Sequence, residues 1–255
     1  MHTYQNLLTK IEKDKTLDFG TILSEEIELF KKVWLKGFLT VLLIFSSAFV
    51  VAILFSLIGL SSNVYDFNNG FNIDSFTSFY SVNVIYNLPQ TILVSTFSIG
   101  FLAAFYRICK DFLEGKESSD YFHFFQNGYF SKIFMLGIVY GSIATVAQLL
   151  FLIPYIYVFV PLSFFSVILA FNPDLTETEI VKASFALGNN KWLISFGLIF
   201  ISAILGMLGV IACFVGILFT ISIAYLPVFL IYKDVVGFGE TSEIDLIGTQ
   251  EDVNF

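Results

Sequence analysis

Few side chains in this sequence could perform acid–base, nucleophilic or metal chemistry. The two histidines, His2 and His123, and the two cysteines, Cys109 and Cys213, are scattered along the chain. Catalytic zinc and non-haem iron sites take three or more protein ligands, so these residues predict no metal centre and no cofactor. The sequence also contains no glycine-rich phosphate loop and no nucleophile elbow. It predicts no catalytic residue, and we therefore expect a protein that is not an enzyme.

The most polar groups within the long uncharged stretches are two glutamines, Gln148 and Gln90. Charged side chains inside a membrane span mark function, and these stretches contain none. A glutamine amide can bond across helices, so we expect a packing role for Gln148, with contact to a substrate as the alternative. Pro161 and Pro227 lie in such stretches and predict kinks, which either open a cavity or serve packing alone.

The composition is that of a membrane protein. Of the 255 residues, 56% are hydrophobic and 13% are charged, and 32 are phenylalanine. Soluble domains carry a charged fraction of about 25%. The net charge of −8 provides no basic stripe for a nucleic acid, so the lipid bilayer is the expected partner.

The uncharged stretches predict an all-α polytopic membrane protein with six transmembrane helices. About 20 helical residues cross the hydrocarbon core of a bilayer. The predicted spans are 37–60, 86–106, 133–153, 155–171, 192–212 and 214–232. Residues 1–36 form a cytoplasmic segment with an interfacial amphipathic helix. Residues 61–85 form an aromatic-rich loop on the other side, and residues 233–255 form an acidic cytoplasmic tail.

The basic residues predict the orientation of these spans. All 13 lysines and arginines fall on the same side of the predicted membrane domain, which places both termini in the cytoplasm. Aromatic and basic residues at the ends of the spans are expected to anchor the protein at the cytoplasmic interface. These anchors are Trp34, Tyr106, Arg107, Trp192, Tyr232 and Lys233.

The segment that leads into span one resembles the segment that leads into span five. The two align without gaps at an offset of 158 residues, the distance from Trp34 to Trp192. The matched residues are Ile22, Ile27, Leu29, Trp34, Leu35 and Phe38 with Ile180, Phe185, Leu187, Trp192, Leu193 and Phe196. This match predicts an internal repeat.

The repeated segment has the pattern of an amphipathic helix on the membrane surface. Its apolar stripe consists of Phe19, Leu23, Ile27, Phe30 and Trp34. In the second copy, Thr176 and Glu179 predict a capping box, and Gly188 predicts the end of the helix. A fainter third copy precedes span three, with Phe122, Phe125 and Tyr129 on one helical face. We therefore expect three parallel units, each an interfacial helix followed by a transmembrane hairpin.

Small residues at fourfold spacing predict close packing between helices. Examples are Thr96 and Gly100 in span two and Gly137 and Gly141 in span three. This spacing allows helix backbones to approach closely. The alternative is a face that pairs with a second copy of the chain.

Four segments resemble a family of bacterial six-helix inner-membrane proteins. They are LSEEIELFKK (23–32), VKASFALGNNKW (181–192), LIPYI (152–156) and the stretch from Pro227 to Tyr232. The family includes the membrane domain attached to some glycerophosphodiester phosphodiesterases. The resemblance implies a bacterial inner membrane. The phosphodiesterase domain has no counterpart in this sequence, so we expect no hydrolysis. A beta-carotene monooxygenase activity, sometimes assigned to such chains, needs four histidines and is not expected.

The sequence leaves two functions open. The first is a non-catalytic membrane component or scaffold, which would bind a protein partner through its interfacial helices and acidic tail. The alternative is a lipid-handling or small-solute transporter, whose path would run between the repeated hairpins past Gln148, Pro161 and Pro227. A closed bundle filled by side chains would argue against the second function.

Overall fold

A computed structural model describes residues 3–13, 15–60, 72–116, 120–126, 128–212 and 215–238. All regular structure in these residues is helical. The α-helices are α1 Tyr4–Glu12, α2 Phe19–Leu57, α3 Ile73–Tyr86, α4 Leu88–Leu113, α5 Phe130–Leu149, α6 Leu152–Ser163, α7 Phe165–Phe171, α8 Glu177–Asn190, α9 Trp192–Met207, α10 Val215–Thr220 and α11 Leu226–Val235. Short 3₁₀ helices cover His123–Phe125, Leu208–Ala212 and Ile221–Tyr225.

Six helical stretches of the described chain are long and apolar enough to cross a membrane. They are Phe19–Leu57, Leu88–Leu113, Phe130–Leu149, Ile153–Phe171, Trp192–Val210 and Gly216–Val235. The protein is therefore an all-helical, multi-pass membrane protein, as the uncharged stretches predicted.

The first membrane helix starts well before the predicted span. Asp18 caps α2 through a hydrogen bond of 2.7 Å from the Thr21 N–H to its carboxylate. The helix then continues without a break for 39 residues, about 58 Å at 1.5 Å per residue. That length is nearly twice the hydrocarbon core of about 30 Å. The prediction of a separate interfacial helix ahead of span one is therefore wrong, because the amphipathic segment is the first part of α2.

The two faces of α2 have different environments. The predicted apolar stripe is accessible at the surface of the bundle, with Trp34 43% exposed, as expected for a face toward lipid. The opposite stripe is enclosed by the other helices. It consists of Ile22, Glu26, Leu29, Val33, Gly37 and Thr40. One acidic residue, Glu26, therefore lies in a row of buried apolar and small side chains.

The second copy of the repeated segment is a separate helix, and the third copy is not an α-helix. The capping box of Thr176 and Glu179 is confirmed at the start of α8. The helix continues past the predicted end at Gly188 and stops at Asn190, before α9. Of the predicted third helix, the described residues show only the 3₁₀ turn His123–Phe125.

Part of the loop predicted at residues 61–85 is helical. Residues 61–71 lie outside the described chain, and α3 begins immediately after Asn72. The Asn72 side chain accepts hydrogen bonds from the backbone N–H groups of Asp74 and Ser75, which explains where the helix starts. The Tyr80 hydroxyl of α3 donates to the Gln148 carbonyl at 3.1 Å and joins α3 to the end of α5.

Segments that were predicted to share one side of the membrane contact each other. The Lys10 ammonium of α1 donates to the Val236 carbonyl at 3.0 Å, and the Lys15 ammonium donates to the Asp234 carbonyl at 2.8 Å. The Lys132 ammonium at the start of α5 donates to the Pro173 carbonyl, just after α7, at 2.6 Å. The first helix and the end of the last helix therefore lie at the same end of the bundle.

Helices α4 and α5 pack closely through the predicted small residues. A Cβ atom added at Gly137 would overlap the Thr96 hydroxyl, and one at Gly141 would lie 2.8 Å from the Ile92 side chain. The Ser95 hydroxyl also donates to the Gly137 carbonyl at 3.1 Å. The prediction that small residues allow close packing between helices is confirmed for this pair.

Pro161 interrupts the fourth span, and a neighbouring helix compensates for it. A proline has no N–H, so the carbonyl four residues earlier, that of Tyr157, loses its helical donor. The indole N–H of Trp192 donates to this carbonyl at 3.0 Å. The helix then breaks at Phe164, between α6 and α7. A Cβ atom at Gly188 would lie 2.5 Å from the Pro161 Cα, so a glycine allows α8 to lie against the proline.

We expect Trp192→Phe to lower the free energy of unfolding by about 1–3 kcal/mol, because it leaves the Tyr157 carbonyl without a donor. Thermal unfolding in detergent micelles measures the effect. The matched control is Trp34→Phe, the equivalent position of the first copy, where the indole makes no hydrogen bond to the described residues and contacts the Phe219 ring. Equal losses in both variants would show that the indole bond is unimportant.

Candidate functional site

A cavity of about 590 Å³ lies inside the bundle. Its walls come from α4, from α6 and α7 on either side of the helix break, from α9, and from the sixth span around Tyr225. Tyr140 of α5 completes the lining. Cavities of this size accommodate small molecules in other proteins. The bundle is therefore not filled by its own side chains.

One face of α4 supplies a row of polar groups to this cavity. Gln90, Thr91, Ser95, Ser98 and Tyr106 follow helical spacing along it. Two of these groups are already bonded: the Ser95 hydroxyl donates to a backbone carbonyl, and the Tyr106 hydroxyl donates to the carbonyl of residue 225 at 3.1 Å. Within the described chain, the side chains of Gln90, Thr91 and Ser98 have no such partner. They are available to a molecule in the cavity.

The opposite wall is formed where two helices are interrupted. Ser163 and Ser166 flank the break at Phe164, and both line the cavity. In the sixth span, Tyr225 also lines it, at the junction between the 3₁₀ turn and α11. Pro227 lies in the first turn of α11, where a proline does not remove a helical hydrogen bond. Neither Pro161 nor Pro227 lines the cavity itself, but the residues that follow them, Leu162 and Val228, do.

The chemistry of the lining is limited to hydrogen bonding and apolar contact. It contains no aspartate, glutamate, lysine, arginine, histidine or cysteine. Hydroxyl and carboxamide groups are mixed with apolar side chains such as Leu102, Phe159 and Ile199. Such a surface suits an uncharged molecule that has polar and apolar parts, because no charge on the wall pairs with an ion.

The two predicted glutamines have different positions. Gln90 lines the cavity near the start of α4. Gln148 lies near the end of α5, where its backbone carbonyl accepts the Tyr80 hydroxyl, and it is not among the lining residues. Sequence reasoning considered substrate contact at Gln148, whereas the structure brings Gln90 to the cavity.

Two of the predicted interface anchors are enclosed by protein. Tyr106 is 1% exposed, and Tyr232 is fully buried. The Tyr232 hydroxyl accepts a hydrogen bond of 2.7 Å from the Asn172 side chain. The prediction that these two tyrosines lie at the lipid–water interface is therefore wrong: each satisfies its hydroxyl inside the bundle. Trp34 is exposed as predicted.

The remaining anchors contact other helices of the chain. The Arg107 guanidinium lies over the Phe124 ring, 5.8 Å from its centroid. Lys233 forms an ion pair with Glu25 of α2 and joins the ends of the first and sixth spans. Trp192 of α9 bonds to the Tyr157 carbonyl of α6 and stacks against the Tyr157 ring, with 6.3 Å between the ring centroids. Their positions are set by packing within the protein.

Sequence reasoning missed Glu26. It falls in the predicted cytoplasmic segment 1–36, but it lies four residues after Ile22 and three before Leu29, on the buried face of α2. Glu26 is fully buried, and neither carboxylate oxygen has a hydrogen-bond partner in the described chain. The helical spacing of Ile22, Leu29 and Val33 was the signal that could have identified it.

The structure describes one of the two histidines, His123, and one of the two cysteines, Cys109. His2 and Cys213 lie outside the described residues. Cys109 is buried among apolar side chains, and His123 lies in the 3₁₀ turn with Asp120 at 3.5 Å. Among the described residues, no group of three or more histidine, cysteine or acidic side chains could hold a metal ion.

Comparison with family models, curated proteins and solved structures found no match. The resemblance to bacterial six-helix inner-membrane proteins stays a prediction.

We expect His123 to make stability depend on pH. Burial, together with the nearby Arg107 guanidinium, lowers the pKa of His123 below its ordinary value of 6.5, against the opposing effect of Asp120. The unfolded chain then binds more protons than the folded one between the two pKa values. The contribution is fully present above pH 6.5 and is lost as the pH falls through the folded pKa.

The measurement is the unfolding free energy of the wild type minus that of His123→Gln, between about pH 5 and about pH 8. This difference should rise with pH. A difference that falls with pH would contradict the assignment.

Proposed function

We propose that this protein binds an uncharged, amphipathic small molecule in its interhelical cavity and handles it within the membrane, as a lipid-handling protein or a small-solute transporter. The observation that carries the proposal is the cavity of about 590 Å³, which combines hydroxyl and amide groups with apolar side chains and has no charged residue. It favours the second of the two functions that the sequence left open.

The arrangement of the polar groups supports binding over a purely structural role. A hydroxyl that only stabilises packing bonds to a neighbouring backbone, as Ser95 does. Gln90, Thr91 and Ser98 face the cavity without a partner in the described chain. In a bilayer such groups are costly unless water or a ligand satisfies them. Binding of a polar headgroup would satisfy them.

The scaffold function that the sequence suggested first stays a prediction, as does a pairing of two copies of the chain. Catalysis is not part of the proposal, because the cavity wall offers no acid, base or nucleophile other than neutral hydroxyl groups. The experiments below distinguish ligand binding from a scaffold role, since a scaffold requires no occupied cavity.

We also propose that both termini face the cytoplasm of a bacterial inner membrane. The 13 basic residues on one side support this orientation. The contacts of Lys10 and Lys15 with the end of α11 support an even number of spans.

We also propose that the segments leading into spans one and five are two copies of one structural unit. The buried residues Ile22, Glu26, Leu29, Val33 and Gly37 of α2 correspond, at the offset of 158, to five buried residues of the second copy. Those residues are Ile180, Ser184, Leu187, Lys191 and Ser195. The same face of both copies is therefore turned into the protein.

We expect Ser98→Phe to lower the amount of co-purifying ligand at least about tenfold, a change of about 1.4 kcal/mol, because the ring fills the cavity. Protein in lipid nanodiscs is washed, and bound small molecules are extracted and quantified by mass spectrometry. Thr91→Val, which removes a hydroxyl at nearly constant volume, should weaken binding about fivefold, since one hydrogen bond contributes about 1 kcal/mol.

The control for this experiment is Ser46→Phe, which adds the same ring on the exposed side of α2. It should retain as much ligand as the wild type. If no molecule is enriched in the wild type over bulk lipid, or if Ser98→Phe and Ser46→Phe retain equal amounts, the cavity does not bind a ligand and the scaffold function gains support.

The orientation predicts which engineered cysteines react with a membrane-impermeant thiol reagent. Cys109 and Cys213 are first replaced by alanine. In intact spheroplasts Ser75→Cys at the start of α3 should be labelled, whereas Thr178→Cys in α8 should be labelled only after permeabilisation. Both positions are exposed, so the membrane decides the difference. The reverse pattern would place both termini outside.

A further inference from the structure

Glu26 is a carboxyl group held inside the helical bundle without a partner. It lies on the buried face of α2 and is fully buried. Neither of its oxygens accepts or donates a hydrogen bond within the described chain. It is not among the residues that line the cavity, so the proposed ligand does not account for it.

The groups around Glu26 provide little stabilisation for a negative charge. The Ser202 hydroxyl of α9 favours the charged form of Glu26 only weakly against the effect of burial, because it donates to the Leu198 carbonyl at 2.7 Å. Glu25, the preceding residue, is paired with Lys233 of α11, which also lies 3.7 Å from Asp234. Lys233 is therefore already occupied by two carboxylates.

The other charged groups on helices packed against α2 do not bond to Glu26 either. They are Arg107, Lys110 and Asp111 on α4 and Lys191 immediately before α9. The guanidinium of Arg107 lies over the Phe124 ring, and Lys110 pairs with Glu114. No cationic side chain of the described chain therefore compensates for a carboxylate at position 26.

In the second copy of the repeat, the residue that corresponds to Glu26 has a purely structural role. Ser184, at the offset of 158 from Glu26, is also fully buried, and its hydroxyl donates to the Ile180 carbonyl at 2.8 Å. A short hydroxyl group satisfies itself on its own helix. The longer carboxyl group of Glu26, in contrast, has no hydrogen-bond partner in the described chain.

An unpaired carboxylate is strongly destabilised in an apolar interior, whereas a protonated, neutral carboxyl group is destabilised much less. We infer that Glu26 is a proton-binding site: its carboxyl group holds a proton in the folded bundle and releases it only at a cost to stability. The site would give the protein a second, titratable state, in addition to its ligand cavity.

Labelling with the apolar reagent dicyclohexylcarbodiimide tests this inference. The reagent partitions into membranes and reacts with protonated carboxyl groups, which add to it to give a stable N-acylurea. The full-length protein in nanodiscs should be labelled at Glu26, as located by peptide mass spectrometry, and the labelling should fall as the pH is raised. Glu26→Gln should lose the label. The matched control is Glu28→Gln: Glu28 is 62% exposed and paired with Lys31, so the label should persist.

A second measurement decides the question where the reagent fails to reach the group. The melting temperature of the wild type should fall relative to that of Glu26→Gln as the pH is raised, because only the wild type must bury a carboxylate. Equal pH dependence in both proteins would overturn the inference. Protection from labelling by sodium chloride but not by potassium chloride would also overturn it, since the site would then hold a sodium ion.

Discussion

The structure depends on one constraint: backbone polar groups in a bilayer must be bonded within the protein. Pro161 breaks this rule for the Tyr157 carbonyl, and the Trp192 indole restores it. Trp192 is also the first residue of α9, and Gly188 lets α8 lie against the proline. Because Pro161 lacks an N–H, the fourth span contacts two neighbouring elements at this point. They are α8, through Gly188, and the start of the fifth span, through Trp192.

The same interruptions shape the cavity. Where α6 gives way to α7, Ser163 and Ser166 turn toward the space inside the bundle, and at the start of α11 Tyr225 does the same. Irregular backbone at membrane depth is tolerated where it lines a cavity. The polar groups of these breaks and of α4 are neutral. They can therefore form hydrogen bonds with an uncharged ligand from the bilayer, and no charged group has to be neutralised when it binds. Position 26 differs from them, because its carboxyl group is enclosed and has no ligand-facing surface.

The six helices could be predicted because uncharged stretches of 20 or so residues have few alternatives to a membrane span. The continuity of α2 could also have been predicted, since Phe30 to Val33 contains no helix breaker, whereas the matched segment Gly188 to Lys191 carries a glycine and two asparagines. The cavity could not be predicted, because it depends on how far the broken helices separate. The prediction for Tyr106 was wrong because an aromatic residue beside an arginine is typical of the membrane interface. Its hydroxyl instead donates a hydrogen bond within the bundle.

The two copies of the repeated segment differ at some of their buried positions, and these differences indicate which residues do more than fill space. Three of the five matched buried positions are apolar or small in both copies, as Ile22 and Ile180 are, and at a fourth position Val33 corresponds to Lys191. Glu26 is the position at which the first copy keeps an ionisable group where the second has a self-satisfied serine. An alanine or serine would pack there at lower cost. A carboxyl group in that place is therefore difficult to explain by packing, and proton binding is a property that only the carboxyl group provides.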